Sequence, residues 1–263
     1  MSFRIRLLGT GPSQGVPHLG GADEAGEWGA CDPAEPRNRR GRTSALIETP
    51  DGTRILVDAG PDIRAQLLAA RIARIDHVII THSHADHVMG LDELRQVNRT
   101  IGHAVPLHAM EETLADLTTR FAYAFHPPTP GFFRPSLTPH AVRPGQELLL
   151  GGLEIRLIEQ DHHVMRTLGL RIDGFAYCTD LVRLPAASLA ALAGIDTWVV
   201  GCFSVRPHPV HAHLEQVRDW ARLLGARRTI LTHMSNGLDF ATLRSTLTDG
   251  LEPGFDGMEI TRA

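Results

Sequence analysis

The chain has 263 residues, 43% of them hydrophobic and 21% charged, which is enough to bury one large α/β core or two small ones. A formal net charge of -4 gives no global attraction for nucleic acid or an acidic membrane, and the scarcity of aromatic residues argues against a base-stacking platform. Three cysteines, Cys31, Cys178 and Cys202, are too few and too far apart for a disulfide framework or a C-x-x-C metal pair, and Cys178 and Cys202 read as buried free thiols. No signal-like N-terminus and no apolar run of membrane-spanning length is visible, so a cytoplasmic location is expected. Fifteen histidines are the compositional anomaly.

In chain order, the alternating segment Phe3 to Leu8 predicts a first strand, followed by the glycine-rich turn Gly9 to Gly15. Pro17 to Arg42 has no period and reads as a long surface excursion. Of its arginines, Arg37, Arg39, Arg40 and Arg42, most are expected to be solvated, with one or two left to face an anionic substrate. Ser44 to Glu48 and Arg54 to Val57 read as strands around the turn Asp51-Gly52. Asp58 follows the second of them, suited either to orient a ligand imidazole or to cap the helix predicted from Asp62 to Arg71. The apolar run Ile75 to Ile80 reads as a short buried strand.

Then comes Thr81-His82-Ser83-His84-Ala85-Asp86-His87, with four candidate ligands, His82, His84, Asp86 and His87, within six residues at a strand end. A strand would alternate them between faces and a helix would spread them around its axis, whereas a loop can aim them at one point. Imidazole with carboxylate suits a borderline divalent ion such as Zn²⁺, with Mn²⁺ or Fe²⁺ as alternatives.

Farther along, helices are expected from Leu91 and over Glu111 to Phe121, with a strand over Val105 to His108. Phe121 to Pro139, rich in proline and aromatics, reads as a lid or a packing loop. Strands are predicted at Leu153–Gln160, Leu168–Ile172, Phe175–Cys178, Thr197–Gly201, Arg228–Leu231 and Met258–Thr261. Helices are predicted at Pro185–Leu192, Leu214–Leu224 and Phe240–Leu247. Three of these strands run into a metal-capable residue: His162, Asp180 and His233. Strand ends sharing one sheet edge would bring them to the histidine loop. The expectation is sheets covered by helices, with residues 1–263 forming a single domain.

The segments T-H-S-H-A-D-H, the later histidine, C-T-D and L-T-H resemble the metallo-β-lactamase superfamily over nearly the whole chain. L-L-G-T-G-P-S-Q-G-V-P, L-G-L-R-I, H-A-H-L-E-Q and F-D-G-M look like its phosphonate-pathway branch, the PhnP-like phosphoribosyl 1,2-cyclic phosphate phosphodiesterases. The resemblance implies an αββα sandwich with two divalent metal ions at one edge of the sheets. His82, His84 and His162 match the ligands of one ion, Asp86, His87 and His233 those of the other, and Asp180 the bridging carboxylate. Adjacent His163 stands where the family has glycine, so either it or His162 is the ligand, with His162 preferred.

His211 matches a family histidine near the scissile phosphate, while His208 and His213 read as structural or rim residues. Some members of the branch hold an extra zinc through a cysteine cluster in the early loop and a histidine after the last ligand. Here the loop has only Cys31, and Asn236 stands at the histidine position, so no such zinc is expected.

The implied function is hydrolysis of a small cyclic phosphate ester through a metal-bridging hydroxide, with Asp86 and His211 as catalytic residues. The expected partner is a small phosphorylated substrate rather than nucleic acid or membrane, with a homodimer left open. Competing readings are a transfer-RNA 3′-processing endonuclease, a lactone or thioester hydrolase, and a non-catalytic metal-binding cofactor-assembly protein on the same fold.

Overall fold

The computed structural model describes residues 2–126 and 135–262. Its first half contains β1 (Phe3–Gly9), β2 (Ser44–Glu48), β3 (Arg54–Val57), α1 (Ile63–Ala70), β4 (His77–Ile79), α2 (Ala85–Val88), α3 (Leu94–Ile101), β5 (Val105–Met110), α4 (Glu111–Arg120), α5 (Ala122–Phe125) and β6 (Leu137–Val142). The second half contains β7 (Glu147–Leu150), β8 (Leu153–Asp161), β9 (Arg166–Ile172), β10 (Phe175–Cys178), α6 (Ala186–Leu192), β11 (Thr197–Gly201), α7 (Leu214–Leu224), β12 (Arg228–Thr232), α8 (Phe240–Thr246), β13 (Leu251–Pro253) and β14 (Glu259–Arg262).

The strands form two sheets, ordered β14-β1-β2-β3-β4-β5-β6 and β13-β12-β11-β10-β9-β8-β7. β1 shows why a sheet of this kind sits in a sandwich. Phe3, Ile5 and Leu7 point into the core, while Arg4 and Arg6 turn outward to Glu48 and Glu259. Three apolar layers follow. The middle one packs Ile5, Ile47, Ile55 and Ile79 of the first sheet against Leu157, Leu170, Phe175 and Val199 of the second. Two outer layers seat α1, α3 and α4 on the first sheet and α6, α7 and α8 on the second. α7 illustrates the seating: Val217, Ala221 and Leu224 recur at helical spacing on the buried side, and Gly225 ends the helix at a φ of 72°.

β3 to β6 run parallel, as do β10 to β13, and β8 shares the direction of β10 because β9 is antiparallel to both. The C-terminal ends of β3, β4, β8, β10, β11 and β12 therefore serve one edge of the sandwich. This is the αββα architecture expected from the sequence.

Several elements differ from expectation. β6 and β7 and the short β13 fall outside the expected strands. β6 carries Pro139 and lies at the sheet edge, where a missing N–H costs no ladder bond, and β13 is only three residues long. The histidine run is not wholly a loop, because its second half turns into the one-turn α2. Of the stretch Phe121–Pro139, read as a lid or packing loop, residues 127–134 lie outside the described part.

The Pro17–Arg42 excursion is anchored rather than loosely solvated. Arg40 is 1% exposed. Its guanidinium donates to Ser235 O (2.9 Å), Leu238 O (2.6 Å) and Asn38 Oδ1 (3.2 Å). Arg37 lies over the Phe240 ring and Arg39 over Trp28, and Arg42 pairs with Asp62. All three cysteines are buried and free, Cys31 included.

Candidate metal centre

The seven residues proposed as ligands converge at the shared edge. Donor atoms of His82, His84 and His162 lie within 4.8 Å of one another, as do those of Asp86, His87 and His233. Asp180 falls within the same distance of His82 and His87 in one group and of His162 and His211 in another. Its Oδ2 is 3.1 Å from His87 Nε2, and its Oδ1 is 3.2 Å from His233 Nε2, 4.0 Å from His162 Nε2 and 3.7 Å from His211 Nδ1. The centre is deeply placed: His82 and His87 are fully buried, and His162, Asp180 and His233 nearly so.

The hydrogen bonds on the outer side of the rings decide which nitrogen faces inward. His87 Nδ1 donates to Asp58 Oδ2 at 2.6 Å. Asp58 also accepts from Thr81 N (2.8 Å) and Thr81 Oγ1 (2.8 Å), so the Thr81 hydroxyl is left to accept from His82 Nδ1 at 3.0 Å. His162 Nδ1 donates to Val210 O at 2.7 Å. Thr43 Oγ1 donates to Gly11 O at 2.7 Å and accepts from His233 Nδ1 at 3.1 Å. Four imidazoles thus use Nδ1 on the outer side and turn Nε2 toward the centre, bare in His82, His162 and His233 and facing the Asp180 carboxylate in His87. Asp58 therefore orients candidate ligands, His87 directly and His82 through Thr81, rather than capping α1, whose N-cap is Asp62.

Local backbone geometry does the aiming on the second sheet. Asp180 follows β10 with a φ of 46° and His233 follows β12 with a φ of 55°. Left-handed conformations cost non-glycine residues on the order of 1–3 kcal/mol and are kept where a side chain must be aimed. His163 adopts a φ of 70°, a left-handed conformation that glycine takes most readily. It is exposed, with its ring against Arg183, whereas His162 enters the cluster.

Electrostatics also match a cation site. Burial pushes the imidazolium forms of His82, His162 and His233 below the usual histidine range. His87 is the exception: burial opposes its charge, yet Asp180, Asp58 and Asp86 hold its proton well above that range. Burial would raise Asp180, but His233 and His87 hold it well below the ordinary carboxylate range. The carboxylates gathered here hold a proton on His87, and a divalent ion satisfies the same charge. His82 Nε2 is buried without a hydrogen-bond partner, as a metal-facing nitrogen would be. The donor set, imidazole nitrogen with carboxylate oxygen, fits borderline divalent metals.

His211 joins the rim. Its ring stacks on Phe203 at 4.9 Å and 16°, and burial, with His233, pushes its pKa down to about 3. His208 closes a three-ring cluster at 4.6 Å from Phe203 and 5.2 Å from His211, and His213 serves as N-cap of α7. Thr43, Thr81 and Phe203 escaped the sequence reading. Thr81 had a signal, standing at the head of the histidine run; Thr43 and Phe203 had none.

A family model described as a beta-lactamase superfamily domain matches residues 53–234. A solved structure described as a new diphosphatase from the PhnP family superposes with a TM-score of 0.90 and 31% identity, covering 100% of this chain and 98% of that one. The Zn²⁺-bound PqqB from Methylobacterium extorquens shares the fold at a TM-score of 0.74 and 17% identity, covering 98% and 99% of the two chains. An octanoyltransferase of Porphyromonas gingivalis strain W83 is 32% identical over 98% of this chain, and the chain spans 51% of that protein's length. A ribonuclease Z of Bradyrhizobium sp. strain ORS 278 is 44% identical over 67 residues, 25% of this chain and 21% of that protein.

Fold and site together define a sandwich of the metallo-β-lactamase kind whose shared edge gathers donors suited to divalent metal. The sandwich alone would not single out a branch, but the full-length likeness does. The chain belongs to the beta-lactamase superfamily, in its PhnP-like branch. Among the described residues, no helix is long and apolar enough to cross a membrane.

Proposed function

We propose that the protein is a dinuclear metal-dependent phosphodiesterase acting on a small cyclic phosphate ester, either phosphoribosyl 1,2-cyclic phosphate or a cyclic-nucleotide-like substrate. One observation carries the reading: four imidazoles, each with Nδ1 engaged on its outer side, turn Nε2 toward a centre that holds Asp180. His82, His84 and His162 would hold one ion and Asp86, His87 and His233 the other, with Asp180 between them. Two such ions, zinc or manganese with iron as a further option, would bring the pKa of water toward about 7 and offset charge on phosphoryl oxygens.

The remaining work falls to the chain. Asp58 and Thr81 hold His87 and His82 in one tautomer. Asp180 sets the ligand groups beside one another and offsets cationic charge. His211, neutral in its buried setting, presents a ring N–H at the rim; an incoming phosphate dianion or monoanion favours its charged form and makes it a proton donor to the leaving oxygen. Phe203 keeps that ring from turning.

A turnover screen with Mn²⁺ and Zn²⁺ tests the proposal across cyclic ribose phosphates, 2′,3′-cyclic nucleotides, linear diesters and lactones. Cyclic diesters are expected to be the best substrates. Lactone turnover without any diester cleavage would sink the reading. A second reading, hydrolysis of an acyl ester or thioester, is favoured by the likeness to about half of an octanoyltransferase, and an octanoyl thioester belongs in the same screen.

A further inference from the structure

A second group of histidines lies away from the centre, across three neighbouring parallel strands of the first sheet. His77 opens β4, His108 lies in β5 and His140 in β6, with His108 and His140 directly opposite each other in register. All three take the strand face that carries Ile79, Met110 and Val142 toward the sandwich interior. His108 is 7% exposed, a costly place for an imidazole, while His140 is exposed on the edge strand.

His77 Nδ1 and His108 Nε2 face each other at 3.3 Å. The His140 ring stacks on that of His108 at 5.0 Å and 27°. His108 Nδ1 is buried without a partner, so the hydrogen bond to His77 satisfies only half of the ring. Burial, reinforced by His77 and His140, pushes the His108 pKa down to about 4, so the ring is neutral at neutral pH and a cation would replace its hydrogen bond to His77. The nearest carboxylate in sequence, Asp76, is engaged by Arg54 N and Arg74.

We propose that His77, His108 and His140 form a separate, all-imidazole site for a borderline divalent cation such as Zn²⁺, clamping the edge strand β6 to β4 and β5. An ion about 2.0–2.1 Å from both His77 Nδ1 and His108 Nε2 would see them at roughly 105°, close to the tetrahedral angle. His140, exposed and stacked on His108, is the third donor of the proposed site; its ring would have to leave the stack to reach the ion, and water would complete the shell. With nitrogen donors alone, the site selects Zn²⁺, Co²⁺ or Ni²⁺ over Mg²⁺ and Ca²⁺.

The test is equilibrium dialysis of the full chain against graded free Zn²⁺, with bound metal counted by plasma mass spectrometry. Wild type is compared with His140→Ala, His77→Gln and Asp180→Ala. His140 is exposed and His77 half-buried, so neither substitution opens a core cavity. Wild type should bind one equivalent more than His140→Ala or His77→Gln at the same free Zn²⁺, or bind it at least tenfold more tightly. Asp180→Ala should keep that equivalent whatever happens at the main centre, and Zn²⁺ should raise the melting temperature of Asp180→Ala but not of Asp180→Ala/His140→Ala. Equal metal content in wild type and both histidine variants across the titration would overturn the proposal, as would equal occupancy by Mg²⁺.

Discussion

The two sheets build their halves of the candidate metal centre by different means. The first sheet supplies four candidate ligands from one run, His82 to His87, and orients them through side chains, chiefly Asp58 and Thr81. The second supplies His162, Asp180 and His233 singly, each just past a different strand, and orients them through left-handed backbone at Asp180 and His233 and the carbonyl of Val210 at His162. The first half is thus compact in sequence but dependent on a buried carboxylate. The second is dispersed in sequence but held by the sheet.

The largest effect should come from the residue common to both halves. Asp180→Ala is expected to lose bound metal and to lower kcat/KM at least ~10³-fold, read by metal analysis and steady-state turnover. Full activity in that variant would end the claim that the halves meet at Asp180.

Next comes the rim. His211→Ala should lower kcat by ~10²–10⁴-fold while metal content stays at the wild-type level. A loss of metal instead would make His211 a ligand of the second sheet, alongside His162 and Asp180.

Asp58→Asn and Thr43→Val weigh the side-chain support of one half against that of the other. Asp58 carries charge and serves both His87 and Thr81, so its loss should weaken metal affinity ~10–100-fold. Thr43 gives His233 one neutral hydrogen bond, and its loss should cost less than ~10-fold. Equal effects in a chelator competition assay would mean that the two sheets hold their ligands alike.

A separate effect, on stability alone, concerns Asp256, which accepts from Thr10 N (2.8 Å), Thr10 Oγ1 (2.7 Å) and Gly41 N (2.7 Å), beneath the segments that flank Thr43. Burial pushes its pKa up to about 6, against three hydrogen bonds that favour the anion. The folded state therefore holds this proton more firmly than the unfolded chain. Its contribution is most favourable below about pH 4 and declines as pH rises to about 6, by on the order of 2–3 kcal/mol. Urea unfolding at pH 4.5 and 7 should show the wild type losing ground against Asp256→Asn at the higher pH. Parallel pH dependence in the two proteins would remove Asp256 as the cause.

Legibility in the sequence followed the same division. The run His82–His87 was readable because four donors in six residues leave few structural uses, and the strand-end residues His162, Asp180 and His233 were readable once that run was in view. The choice of His162 over His163 rested on the resemblance, and the physical reason emerges only with the left-handed φ of His163. Arg40 was hidden for another reason: an arginine in a charged, proline-rich stretch carries no mark of burial, because its partners are main-chain carbonyls nearly two hundred residues away. β6, with a proline inside it, and β13, with three residues, lack the alternating pattern that reveals a strand. Thr43 has no local pattern either, since its role depends on a histidine brought to it by the second sheet.

The place of β1 has a consequence for the order in which the molecule assembles. It pairs with β2 on one side and with β14 on the other, Phe3 standing opposite Arg262. The β1–β2–β3 side can form from nearby chain, but the other flank must wait for a partner some 250 residues later, whose capture carries a large loop-closure cost. The Arg40 anchor waits equally long, for Ser235 and Leu238. Bringing His233 to the histidine run therefore needs long-range closure of the same kind as that which docks the excursion and seals the first sheet.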